Sequence, residues 1–288
     1  MTLEVLRPGP LALIEDAGRH GLADVGVSPS GAFDRRAFAA GAELVGNDAD
    51  RQAAIEIVLG GLAVRTLDRL VVALTGARCR LEVDGRPAPW ATAIQLAPGA
   101  ELTLGMPGTG LRSYLSVAGG IEVPPVLGSR STDQLSGLGP PRLVAGMVLP
   151  VGPGAPGPAD PIPDPAADPV GKTVLTLLPG PRTDWLADPA GLAGSWTVSP
   201  DSNRVGVRLT GPALARAARF QGVELPSEPL VRGAVQLPPS GQPVVFGPDH
   251  PTTGGYPVVA VLTDASSDRL AQCRPGEQVH LAWATSAP

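Results

Sequence analysis

A single lysine, Lys172, stands in the 288-residue chain, and nearly all other positive charge is arginine. Schiff-base catalysis and covalent biotin attachment both need a lysine. Lys172 lies in Gly171-Lys172-Thr173, without the Ala-Met-Lys-Met setting of a biotinylated lysine, so the chain is expected to carry no biotin. The same triplet fails as a phosphate-binding loop, because Ala166 occupies the first Gly position and a strand pattern follows it. Aromatic residues make up 3%, so a core must be built from Leu, Val, Ile and Ala. Two cysteines, Cys79 and Cys273, lie far apart and outside any CxxC pattern, which predicts free thiols in a reducing compartment. No apolar run approaches the ~20 residues that span a bilayer. The stretch Met1-Thr2-Leu3-Glu4-Val5-Leu6-Arg7-Pro8-Gly9 lacks the basic and apolar regions of a signal peptide, and a cytoplasmic location is expected. A net charge of −5 and a pI near 5.2 argue against a nucleic-acid surface.

Glycine and proline are abundant, at 37 and 34 residues, which suits many short strands joined by turns. The expected class is mainly β, in two strand-rich halves with a few short helices. The halves are placed at 1–150 and 173–288. Between them, 151–172 is a Pro-rich linker, since residues 150–169 hold eight prolines among Gly, Ala and Asp. In the first half, apolar runs over 55–64, 70–74, 79–83, 94–96, 101–104 and 113–117 read as strands, and Asp84-Gly85 is a hairpin turn signal. Ser30 is placed to cap a helix carrying Phe33, Ala37, Phe38, Leu44 and Val45, which Gly46-Asn47 would stop. In the second half, strands are expected over 174–178, 196–199, 205–209, 231–237, 244–246, 258–262 and 279–283, and a short helix over 213–220.

The polar residues gather in glycine-rich blocks. Asp16-Ala17-Gly18-Arg19, then Val25-Gly26-Val27-Ser28-Pro29-Ser30-Gly31-Ala32-Phe33-Asp34, precede Leu44-Val45-Gly46-Asn47 and Glu56. Ala118-Gly119-Gly120 leads to Leu127-Gly128-Ser129-Arg130-Ser131-Thr132. Gly233-Ala234-Val235-Gln236-Leu237-Pro238 and Ser240-Gly241-Gln242-Pro243 precede Asp249-His250-Pro251-Thr252-Thr253-Gly254-Gly255-Tyr256-Pro257. Adjacent glycines let backbone N–H groups approach a ligand closely. The histidines His20, His250 and His280 show no metal-ligand spacing, no Gly-x-Ser-x-Gly elbow is present, and catalytic residues stay unassigned. His280, in Gln278-Val279-His280-Leu281, reads as a half-buried strand position.

These blocks resemble, in order and over most of the chain, the C-subunit family of bacterial 5-oxoprolinase, also known as the biotin-dependent carboxyltransferase or allophanate hydrolase subunit 2 family. The resemblance implies a cyclophilin-like β-barrel architecture, with the barrel in the C-terminal half. It implies one component of an ATP-dependent 5-oxoprolinase, acting with the A and B subunits to open 5-oxoproline to glutamate. ATP would be used by the complex. Two other activities in the family stay open. One is carboxyl transfer in a biotin-dependent urea carboxylase or allophanate-type system with a separate biotin carrier. The other is a regulatory partnership with the B subunit, without chemistry. The resemblance further implies that Arg19, Ser30, Arg130, Arg204, Gln236, His250, Thr252, Thr253 and Tyr256 bind a small anionic amide. Arginine suits that task because its planar fork bonds oxyanions bidentately. One departure stands out: Pro251 occupies the position before Thr252-Thr253 where the family carries Gln.

Overall fold

The computed structural model describes residues 1–154 and 173–285. They form two compact units. The first comprises residues 1–19, 30–133 and 137–154, and the second 20–29, 134–136 and 173–285. Two short segments of the N-terminal half thus belong with the C-terminal one. The expected linker lies, from residue 155 onward, outside the described residues.

The first unit is built from two antiparallel sheets. One runs in the order Val148–Pro150, Thr2–Pro8, Leu62–Thr66, Glu101–Leu104, Leu81–Val83 and Arg86–Pro87. The other runs Leu11–Glu15, Ala54–Val58, Arg112–Val117, Leu70–Gly76 and Ile94–Leu96. Alternation drives the first: Leu3 and Val5 are buried while Thr2, Glu4 and Leu6 are partly exposed. Leu3, Val5, Val64 and Leu102 share one apolar cluster with Ile55, Ile57, Leu74 and Leu115 of the second sheet. Each such side chain contributes roughly 1.5–3 kcal/mol on burial, which lets aliphatic residues replace the missing aromatics. The Asp84-Gly85 turn is present, with φ of 49° and 74°. Both residues take the left-handed conformation that a two-residue type I′ hairpin requires.

The helix Arg35–Leu44 packs Ala37, Phe38, Ala42 and Leu44 inward, but its cap is Asp34 and not Ser30. The Asp34 carboxylate accepts the Ala37 N–H at 3.0 Å. A cap must sit immediately before the first helical residue to reach that donor. Ser30 lies too far upstream and instead donates to the Thr132 carbonyl at 3.3 Å.

The second unit contains a closed seven-stranded barrel in the order Thr173–Pro179, Val258–Leu262, Ala234–Gln236, Val244–Phe246, Gly206–Thr210, Gly194–Val198 and Gln278–Trp283. The ring closes because Thr173–Pro179 pairs parallel with Gln278–Trp283 and antiparallel with Val258–Leu262. His280 is half-buried on its strand, as expected. The mainly β class with a barrel in this unit is therefore observed.

Two local expectations fail here. Residues 213–220 form no α-helix, and only Ala218–Phe220 makes a short 3-10 turn. The Leu214 N–H goes to the Gly241 carbonyl and the Ala217 N–H to that of Trp185, so the donors a helix would need are used by neighbouring segments. The α-helix of this unit is Asp264–Leu270 instead, capped by Thr263, which accepts the Ser266 N–H. The run 231–237 shortens to Ala234–Gln236, with Val231 exposed.

Candidate functional site

In the first unit, one carboxylate gathers a loop from more than a hundred residues away. Asp16 is 6% exposed. Its Oδ1 accepts from the Ser129 and Ser131 hydroxyls, each at 2.6 Å, and its Oδ2 from the Arg130 N–H at 2.6 Å. The Gly18 N–H also donates to Oδ1, at 2.8 Å. A carboxylate with this many charge-assisted bonds fixes its partners firmly. The consequence is a rigid seat for Arg19.

Arg19 is 2% exposed. Its Nη2 donates to the Ser131 carbonyl at 2.5 Å, and its Nε lies 3.4 Å from the Val126 carbonyl. Its Nη1 is buried and has no hydrogen-bond partner among the described residues. Gly139 presses against the same place. Its φ is 89°, and a Cβ there would sit 2.0 Å from the Ser131 carbonyl oxygen and 3.3 Å from Arg19 Nη2. A buried guanidinium held on two edges with an unused donor is suited to a carboxylate or amide oxygen. Arg130 differs: its Nε and Nη1 reach the Val123 and Arg51 carbonyls at 2.9 and 3.4 Å. Arg19, Ser30 and Arg130 are thus tied to one loop, 126–132.

Glu56, which the sequence places in the same blocks, holds the start of the helix. It accepts from the Phe33 N–H at 3.0 Å, the Tyr114 hydroxyl at 2.8 Å and Arg112 Nε at 3.3 Å. Burial, with the Glu56 and Asp34 charges beside it, pushes the Tyr114 phenol well above its usual range, so it stays a neutral donor.

In the second unit, Arg204 and Asp249 form a buried bidentate pair, with Nε to Oδ2 and Nη2 to Oδ1 both at 2.9 Å. They are 1% and 0% exposed. The Gln134 N–H adds a bond to Asp249 Oδ2 at 3.1 Å, and the Ser28 hydroxyl donates to the adjacent Pro248 carbonyl at 3.1 Å. His250 follows directly, 4% exposed, with Nδ1 2.8 Å from the Pro251 carbonyl and its ring edge-on to Phe246. Gln236 donates through Nε2 to the Tyr256 carbonyl at 3.0 Å. The Thr252 carbonyl accepts the Leu230 N–H at 2.9 Å. Thr253–Gly254 pairs as a short strand with Glu228–Pro229, so this loop is stiffer than its glycines suggest. Arg182 braces the pair by a fork onto Glu228, and that hydrogen bond, with the charge behind it, holds the Glu228 carboxyl below its ordinary value.

Tyr256, 45% exposed, also lines a cavity of about 670 Å³ in this unit together with Arg216. None of Asp16, Asp249 and Arg216 was singled out as a site residue by sequence. For the two acids a signal existed, since each opens a block that holds predicted ligands. Arg216 lay inside an expected helix and had none.

A family model described as carboxyltransferase domain, subdomain A and B, matches residues 25–283. The chain is 38% identical, over 96% of its length, to the C subunit of the Escherichia coli 5-oxoprolinase, of which it covers 90%. Among solved structures, TTHA0988 matches 98% of the chain with a TM-score of 0.85 at 34% identity. The urea carboxylase of Kluyveromyces lactis matches 99% with a TM-score of 0.89 at 26% identity. The chain spans 56% of the former and 27% of the latter.

Proposed function

This chain belongs to the carboxyltransferase-domain family, and on that footing we propose that it is the C subunit of a 5-oxoprolinase. In this reading it works with the A and B subunits to open 5-oxoproline to glutamate, with water and ATP consumed and ADP and phosphate released. One observation carries the reading: the match to the Escherichia coli relative runs nearly end to end on both chains. A lactam is an unstrained amide, so its oxygen must be activated, and a fixed cation stabilises the negative charge that develops there. Arg19 is the residue of this chain prepared for that task. Its charge is buried, its position is set by Asp16 through Ser131, and Nη1 has no acceptor among the described residues.

His250 bears on the Pro251 departure. Its Nδ1 donates to the Pro251 carbonyl at 2.8 Å, so the histidine places a side-chain donor beside the position where the family carries Gln.

The closeness in fold to urea carboxylase supports a second reading, carboxyl transfer from a separate biotin carrier to urea or a related amide. The two separate in one assay. The chain is co-expressed with the A and B subunits from the same genome, and ATP-dependent glutamate formation from 5-oxoproline is measured beside carboxyl transfer to urea from carboxybiotin. Glutamate formation by the complex, absent for the chain alone, is the expected result. Turnover only with carboxybiotin and urea would overturn it.

A further inference from the structure

The cavity in the second unit, which Tyr256 borders, is larger than the activity above requires. We propose that it binds an N-acylated amino acid with an apolar acyl group, its carboxylate held by Arg216. At about 670 Å³ the cavity falls in the size range of small-molecule sites, and is several times larger than 5-oxoproline itself needs. Leu214, Val223, Leu225, Pro238 and Pro239 give it apolar walls, while Arg216 and Glu224 supply opposite charges on its lining.

Arg216 is built into place. Residues 215–217 are bound to 185–187, since Ala187 N–H donates to the Ala215 carbonyl and Ala217 N–H to that of Trp185. The guanidinium carbon lies 5.6 Å from the Trp185 ring centroid, and Trp185 stacks on Phe220 at 4.3 Å with 6° between the planes. Nη2 makes one long contact, 3.5 Å, to the Leu237 carbonyl. Nε is buried and has no partner among the described residues. Nε is shielded even from water, so an arriving carboxylate would meet the guanidinium at its terminal nitrogens, where the one long contact to the Leu237 carbonyl leaves donors to spare. Glu224 disfavours a ligand that is only an anion, and favours one whose N–H can donate to it. A carboxylate, an N–H and an apolar body in one small molecule define the ligand class.

The test reads binding to the full chain, independent of turnover. Hippurate is titrated calorimetrically against hippuramide, which lacks the carboxylate, and 4-phenylbutyrate, which lacks the N–H. Saturable one-to-one binding of hippurate is expected, weaker by about tenfold or more in Arg216→Gln, the loss typical of one hydrogen bond to a charged group. Both analogues should bind about tenfold more weakly than hippurate. Val223→Trp, at an exposed wall position, should fill the cavity and abolish binding without disturbing the barrel. That variant decides the matter if Arg216→Gln does not fold. No saturable binding of hippurate, equal affinity of all three compounds, or unchanged binding in Val223→Trp would each overturn the proposal.

Discussion

Two buried arginines, one in each unit, answer opposite needs. Arg204 has its Nε and Nη2 matched by both oxygens of Asp249. Arg19 leans on backbone carbonyls, and its Nη1 stays without an acceptor among the described residues. Both side chains are at most 2% exposed, and the family resemblance implies a ligand-binding role for both. A guanidinium paired with a carboxylate at close range has little left to offer an anion, because charge and geometry are already neutralised. One held only by neutral carbonyls has no carboxylate at hydrogen-bond distance and keeps a donor without an acceptor among the described residues. Under the proposed function, Arg204 positions Asp249 and the adjacent His250, and Arg19 is the arginine that binds.

That contrast can be broken most directly at Arg204. Arg204→Met leaves Asp249 as an unpaired buried charge, and about 3–5 kcal/mol of stability should be lost in denaturant unfolding. The double variant Arg204→Met with Asp249→Leu should recover much of that loss. If the single variant unfolds like the parent protein, the pair is not the anchor described.

Arg19→Gln should do the reverse. Activity of the reconstituted complex should fall by the ~1.5–3 kcal/mol of a bond to a charged group, roughly 10- to 150-fold, while far-UV circular dichroism stays unchanged. Wild-type turnover in that variant would remove Arg19 from the site.

Asp16→Asn sharpens the link between the acid and the arginine it seats. An amide oxygen cannot accept from Ser129, Ser131 and the Arg130 N–H as a carboxylate does, so about 1–3 kcal/mol should be lost. Part of it should appear as lower kcat in the same assay. A thermal melt and a steady-state series on one preparation check both, and an unchanged kcat would confine Asp16 to stability.

The smallest effect concerns Glu228, whose carboxyl Arg182 holds below its ordinary value. A depressed folded pKa gives stability that is present above the unfolded value and lost as pH falls through the folded one. The melting temperature of Arg182→Gln should therefore differ from the parent by a small amount at neutral pH. It should converge with the parent below the usual carboxylate range. A gap that persists in acid would show that the ion pair is not the cause.

Much of this molecule was legible in the chain itself. Apolar runs placed most strands of both units, although 55–64 divides at Leu59-Gly60-Gly61 into Ala54–Val58 and Leu62–Thr66 of different sheets, and Asp84-Gly85 fixed a hairpin by local backbone preference alone. The glycine-rich blocks marked where polar side chains would gather, since such residues act within a few positions of their own backbone. Where the competition was between local and distant partners, local patterns misled. Residues 213–220 have helical composition, yet the Leu214 and Ala217 N–H groups are taken by Gly241 and Trp185. Ser30 looked like a cap, but the adjacent Asp34 reaches the helix first.

Only the tertiary structure decided which polar residues carry free donors and which are paired. Asp16 meets Ser129 and Ser131 across 113 and 115 residues, and Arg204 meets Asp249 across 45. The barrel closes by a parallel pairing between Thr173–Pro179 and Gln278–Trp283 that no turn dictates. Composition and periodicity report what each segment prefers. They cannot report which of several equally polar segments will be brought to hydrogen-bond distance, because that depends on how the whole chain buries its aliphatic faces at once.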